Sequence, residues 1–160
     1  MLYSKFTLNE VISKFELKTS TKDLFEDKKV KIDNYLKEAL ESAFELPLKS
    51  EKARSELIVM PILLEARKLN NKSFFIFSGK NLDIDESLGL NGECDFIISK
   101  TDNKFFLQAP IFGLVEKKQN IDLGLGQCIA QMVGAKIFNE KKKSNIDTIF
   151  GCVTANYRLL

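Results

Sequence analysis

The stretch Ile111-Phe112-Gly113-Leu114-Val115-Glu116-Lys117-Lys118, followed by Gly124-Leu125-Gly126-Gln127-Cys128-Ile129-Ala130-Gln131-Met132, decides how the rest of the chain is read. Ile111 to Val115 is a compact apolar run of strand length, and it runs straight into an acid and two lysines. From about Ile121 to Asn139 the chain reads as a helix, with Gln127 and Gln131 on one of its faces. A strand thus delivers a charged triplet to the foot of a helix that carries two amides.

Working upstream, Cys94 to Ile98 reads as another strand, with an isolated acid, Asp95, near its start. Thr101-Asp102-Asn103-Lys104 reads as a tight turn and Phe105 to Leu107 as the return. Phe74 to Phe77 is a further strand, which Ser78-Gly79 should stop, and Leu82 to Ile84 a short second piece. Before these come helices. Thr7-Leu8-Asn9-Glu10 has capping-box spacing and opens a helix ending near Phe15. A second is expected from Lys31 to Glu45, with Ile32, Tyr35, Leu36, Ala39, Leu40 and Ala43 as a buried stripe and Pro47 as its stop. Ser50 caps a third, running to Leu69, whose apolar second half should be buried on several sides and kinked at Pro61. A last strand spans Thr148 to Thr154. Helices, a strand meander, a helix and a strand make an α+β fold or a three-layer α/β/α sandwich.

The 160 residues suit one domain: residues 1–48 a helical N-terminal extension, packed on a core of residues 49–160. Lys and Arg number 24 against 22 Asp and Glu, so no basic tail announces a polyanion partner. No apolar run reaches membrane-spanning length, so no membrane partner is expected. Cys94, Cys128 and Cys152 are scattered, without metal-site spacing; they fit small core positions and a reducing cytoplasm. Phe74, Phe75, Phe77, Phe105 and Phe106 are expected in the core rather than as base-stacking platforms. The chain contains no histidine, which excludes Ser-His-Asp, Cys-His and His-metal chemistry. Any catalysis rests on carboxylates, lysines, hydroxyls or a hard, oxygen-bound metal.

Acid-x-Lys pairs recur along so charged a chain, but only Glu116/Lys118 ends a long apolar strand and precedes a glutamine-bearing helix. Residues two apart on a strand share a face, so Glu116 and Lys118 should point the same way. If the Asp95 and Glu116 strands are neighbours, their carboxylates converge and need a cation; Mg²⁺ or Mn²⁺ suits them, with the Lys117 carbonyl as a third ligand. Such an ion lowers the pKa of bound water, and Lys118 would orient that water and stabilise transition-state charge.

Together, Ser50-Glu51-Lys52-Ala53-Arg54-Ser55-Glu56, Gly92-Glu93-Cys94-Asp95-Phe96, Val115-Glu116-Lys117-Lys118 and Gly124 to Met132 resemble motifs of the PD-(D/E)XK superfamily, especially its small bacterial members. The resemblance covers roughly residues 50–154. It implies a restriction-endonuclease-like core in the order α-β-β-β-α-β, and metal-dependent phosphodiester hydrolysis in DNA, with RNA not excluded. Catalytic roles then fall to Asp95, Glu116 and Lys118, with Glu56 as an additional acid and Gln127 and Gln131 supporting the site. Cutting both strands of a duplex implies a homodimer. Cys94 stands in place of the namesake proline, which with the modest net charge motivates an alternative: an inactive nuclease-fold module that binds nucleic acid or a protein partner.

Overall fold

In the computed structural model, residues 2–26, 29–101, 103–117, 121–144 and 146–154 are described. A 3₁₀ turn (Tyr3–Lys5) leads into α1 (Leu8–Lys14), α2 (Asn34–Phe44) and α3 (Glu51–Arg54). A π turn (Ser55–Val59) joins α3 to α4 (Met60–Leu69), and β1 (Phe75–Asn81), β2 (Glu93–Ser99), β3 (Ile111–Lys117), α5 (Ile121–Lys141) and β4 (Phe150–Thr154) follow. The strands form one open sheet in the order β1-β2-β3-β4. The first three are antiparallel, and β4 returns parallel to β3 after the α5 crossover. This is a mixed α/β fold.

Side-chain alternation divides the strands between two layers. Ile97, Ile111 and Leu114 pack toward α5 with Tyr3, Phe6, Val11, Ala130 and Ala135. Phe96 and Val115 pack with Val59, Met60 and Leu63 of the π turn and α4. Helices therefore cover both faces. Tyr3 to Leu17 belong to the α5 layer, and the chain presses closely there. A Cβ on Gly126 would lie 2.3 Å from the Phe6 carbonyl oxygen, and one on Gly134 2.3 Å from the Tyr3 hydroxyl.

Local signals fix several helix ends as expected. Thr7 Oγ1 accepts the Glu10 N–H while the Glu10 carboxylate accepts the Thr7 N–H, which starts α1. Ser50 Oγ accepts the Ala53 N–H at the start of α3. Pro61 does not break the helix. The preceding turn widens so that the Met60 N–H reaches the Ser55 carbonyl, and Pro61 falls in the first turn of α4, where a missing N–H costs little.

Other expectations are corrected. α2 starts at Asn34, because Asp33 caps the Tyr35 N–H while Glu65 of α4 holds the Asp33 N–H. Tyr35 is consequently exposed, and Leu36 and Ala43 are the buried residues. α4 is not enclosed: Ile62, Leu64 and Leu69 are 44%, 47% and 47% exposed, since only one side of it meets the sheet. β1 continues through Ser78-Gly79 because Gly79 takes φ +60 and the ladder resumes beyond it, with Lys80 opposite Cys94. Leu82 to Ile84 is no strand but part of a loop closed by Leu82 N–H to Gly92 O and Ile84 N–H to Leu90 O.

Phe105 to Leu107 makes no return strand. Asn103 Oδ1 accepts the N–H groups of Phe105 and Phe106, curling the chain into a side-chain-capped turn that leaves no ladder partner. Both rings lie outside the core, at 74% and 66% exposure. β3 starts at Ile111, whose N–H and C=O are both taken by the side-chain amide of Asn139. Cys94 and Cys128 are buried but Cys152, on edge strand β4, is exposed. Among the described residues, no helix is long and apolar enough to cross a membrane.

Candidate functional site around Glu116

β2 and β3 pair as far as Phe96 with Val115, and one residue further on Asp95 and Glu116 meet. The main-chain N–H of Asp95 donates to Glu116 Oε1 at 3.0 Å. From the α5 side, Gln131 Nε2 donates to the same oxygen at 2.7 Å and Gln127 Nε2 to Oε2 at 2.6 Å. Glu116, Gln127 and Gln131 are all buried. A buried carboxylate without donors would be driven to its neutral form, whereas three N–H groups compensate its charge. The two glutamines reach one carboxylate because they sit four apart on one helix.

Asp95 borders a cleft of about 620 Å³ on the α3 side of the sheet. Glu51, Glu56 and Glu93 line the same cleft, with Lys52, Ser55, Ser78 and Gly79. Glu56 stands within the π turn and forms an exposed ion pair with Lys52 at 3.8 Å. Asp95, Glu116, Gln127 and Gln131 are thus brought together, Glu56 shares the cleft of Asp95, and the main chain of Lys117 follows Glu116 on β3, opposite Thr154. Lys118 lies outside the described residues.

Glu51 and Glu93 were not singled out from the sequence. Glu93 had a signal, since it lies two residues before Asp95 on a strand. Glu51 had none, because its place depends on where α3 crosses the sheet.

The surrounding thiols are inert. Burial, then the negative charges of Glu116 and Asp95, pushes the Cys94 thiol far up. Burial and Glu116 push Cys128 up to about 12. Neither ionises near neutrality to act as nucleophile or ligand. The chemistry available is that of oxygen: carboxylates, hydroxyls and main-chain carbonyls, a donor set that fits a hard divalent cation. Among the described residues, no three Asp, Glu, Cys or His side chains form a group that could hold a metal ion. Compared with protein-family models, curated proteins and solved structures, the chain matches none.

Proposed function

We propose that the chain is a divalent-metal-dependent nuclease with a restriction-endonuclease-like core, hydrolysing phosphodiester bonds in DNA, with RNA as a second possible substrate. One observation carries this reading: a buried carboxylate at the end of one strand, held by two glutamines of the next helix and by the main-chain N–H of an acid on the neighbouring strand. A structural ion pair would not need two amides to orient one buried carboxylate.

Asp95, Glu116 and the Lys117 carbonyl are the residues that would hold Mg²⁺ or Mn²⁺, with water completing the shell, as is usual for Mg²⁺. Such an ion supplies Lewis acidity and an acidified water. Gln127 and Gln131 fix the Glu116 carboxylate in place. Glu56 and Glu93, which line the same cleft, add negative potential that attracts a cation and repels a phosphate arriving without one. Lys118 would balance charge on the phosphate and orient the attacking water. Action on duplex DNA in one encounter would call for a homodimer.

A second reading, an inactive module that binds nucleic acid or a protein, is favoured by the burial of Glu116 and by the N–H groups of Asp95, Gln127 and Gln131, with which a metal must compete.

Plasmid, linear duplex, single-stranded DNA and RNA incubated with Mg²⁺ or Mn²⁺ separate the two. The nuclease reading expects cleavage that EDTA stops and that Asp95→Ala and Lys118→Ala each abolish with unchanged circular dichroism. Intact nucleic acid in every form, with either metal, would leave only the binding module.

A further inference from the structure

Two phenylalanine rings stand in solvent on the loop between β2 and β3, and the core gives no reason for them. The loop is not slack. Thr101 Oγ1 accepts the Asn103 N–H at 3.0 Å and donates to Gln108 Oε1 at 2.9 Å. Asn103 Oδ1 in turn accepts the N–H groups of Phe105 and Phe106 at 2.8 and 3.2 Å. A hydrogen-bonded turn thus holds two adjacent apolar rings outward. Single exposed apolar residues are ordinary, but a fixed pair beside a hollow marks a contact surface.

That hollow, of about 520 Å³, is lined by Phe75, Asn103, Lys104, Phe105 and Gln108. Both of its rings carry a cation. Lys104 Nζ lies 5.1 Å from the Phe105 ring centroid and the Arg67 guanidinium 5.2 Å from that of Phe75. Aromatic faces, positive charge and two side-chain amides suit a planar ligand with polar edges on an anionic chain. A lipid tail would have no use for the amides. The acidic cleft lies toward the other end of β2, since Asp95 precedes Ser99 by four residues, roughly 13 Å of strand.

We propose that this hollow, with the exposed Phe106 beside Phe105, is a stacking platform for the unpaired bases of single-stranded nucleic acid, with Phe105 and Phe106 stacking bases and Lys104 and Arg67 facing phosphates. As a statement about substrate it rests on the nuclease reading, and it gives that enzyme a preference for single-stranded or frayed substrates. As a statement about binding it stands alone.

Fluorescence anisotropy of a labelled oligothymidine in EDTA tests it, with no cleavage possible. The double variant Phe105→Ala/Phe106→Ala should bind about 10- to 100-fold more weakly than the native chain, the usual cost of removing aromatic stacking partners. An abasic oligomer with the same number of phosphates should bind the native chain about as weakly. Phe105→Tyr/Phe106→Tyr, which keeps the rings, should restore affinity and also guards against a misfolded alanine variant. Equal binding by native and alanine variants, or equal binding of abasic and normal oligomers, overturns the platform. So does ring-dependent sedimentation with anionic vesicles in the absence of oligothymidine binding, which would make the rings a membrane contact. Metal-dependent cleavage is read separately. Intact cleavage without ring-dependent binding sinks the platform alone, and ring-dependent binding without cleavage under any metal sinks the nuclease alone.

Discussion

The Glu116 carboxylate lies where water does not reach, and N–H groups of its neighbours meet it there. Gln127 and Gln131 donate to different oxygens, and the Asp95 N–H closes the arrangement from the strand side. Hydrogen bonds to a charged group contribute roughly 1.5–3 kcal/mol each. Gln127→Ala should therefore lower the unfolding free energy by about that amount in a urea titration, with an unchanged slope; an unshifted midpoint would contradict the arrangement. The i, i+4 spacing of the glutamines, and the acid that ends an apolar strand, were legible in the sequence because both are consequences of local geometry. Phe105 and Phe106 were not legible. Their placement depends on the Asn103 side chain capturing two main-chain N–H groups, and an apolar run of three residues looks the same whether or not a ladder partner exists.

α5 joins the N-terminal segment to the sheet and carries different residues on each contact. Gln127 and Gln131 face Glu116. Gly126 faces the main chain around Thr7, where a Cβ would stand 2.5 Å from the Thr7 carbonyl carbon and 2.8 Å from the Leu8 nitrogen. Backbone cannot yield as a flexible side chain does. Gly126→Ala should lose stability by about 1–3 kcal/mol despite the better helix propensity of alanine, because overpacking outweighs a propensity gain of roughly 1 kcal/mol. A rise in melting temperature for this variant would mean that the N-terminal segment does not seat on α5. Helix starts were readable because a cap is a contact between residues three apart. The exposure of α4 was not, since an apolar face says that something is to be covered but not how much of it the sheet reaches. The passage of β1 through Ser78-Gly79 was missed for a related reason: a serine-glycine pair reads as a breaker, and only the pairing of Ser78 with Phe96 and of Lys80 with Cys94 carries the strand across it.

At the scale of the whole molecule, the succession of helices, meander, helix and strand was legible and yields the mixed sheet with helices on both faces. The cleft was not, because it is assembled from α3, the π turn, β1 and β2. Acid should loosen the assembly. The Thr7 main-chain and hydroxyl hydrogen bonds hold the Glu10 carboxyl below its ordinary 4.5. The Lys68 contact does the same for Asp33, and Ser87 for Asp85, each below 3.8. A carboxyl depressed by folding contributes stability above its unfolded value and loses it as the pH falls through the folded one. Melting temperature should therefore fall from about pH 5 toward pH 3, and Glu10→Gln, which has no carboxyl to titrate, should flatten that fall by removing the Glu10 share. A melting temperature independent of pH over that window would contradict the assignment.

The central claim is that Asp95 and Glu116 together hold a divalent ion. Anomalous diffraction from a crystal soaked in Mn²⁺ tests it most directly. The account predicts a manganese peak bounded by carboxylate oxygens of Asp95 and Glu116 and by the Lys117 carbonyl, lost in Asp95→Ala. A saturating soak that leaves no peak between those two side chains would contradict it.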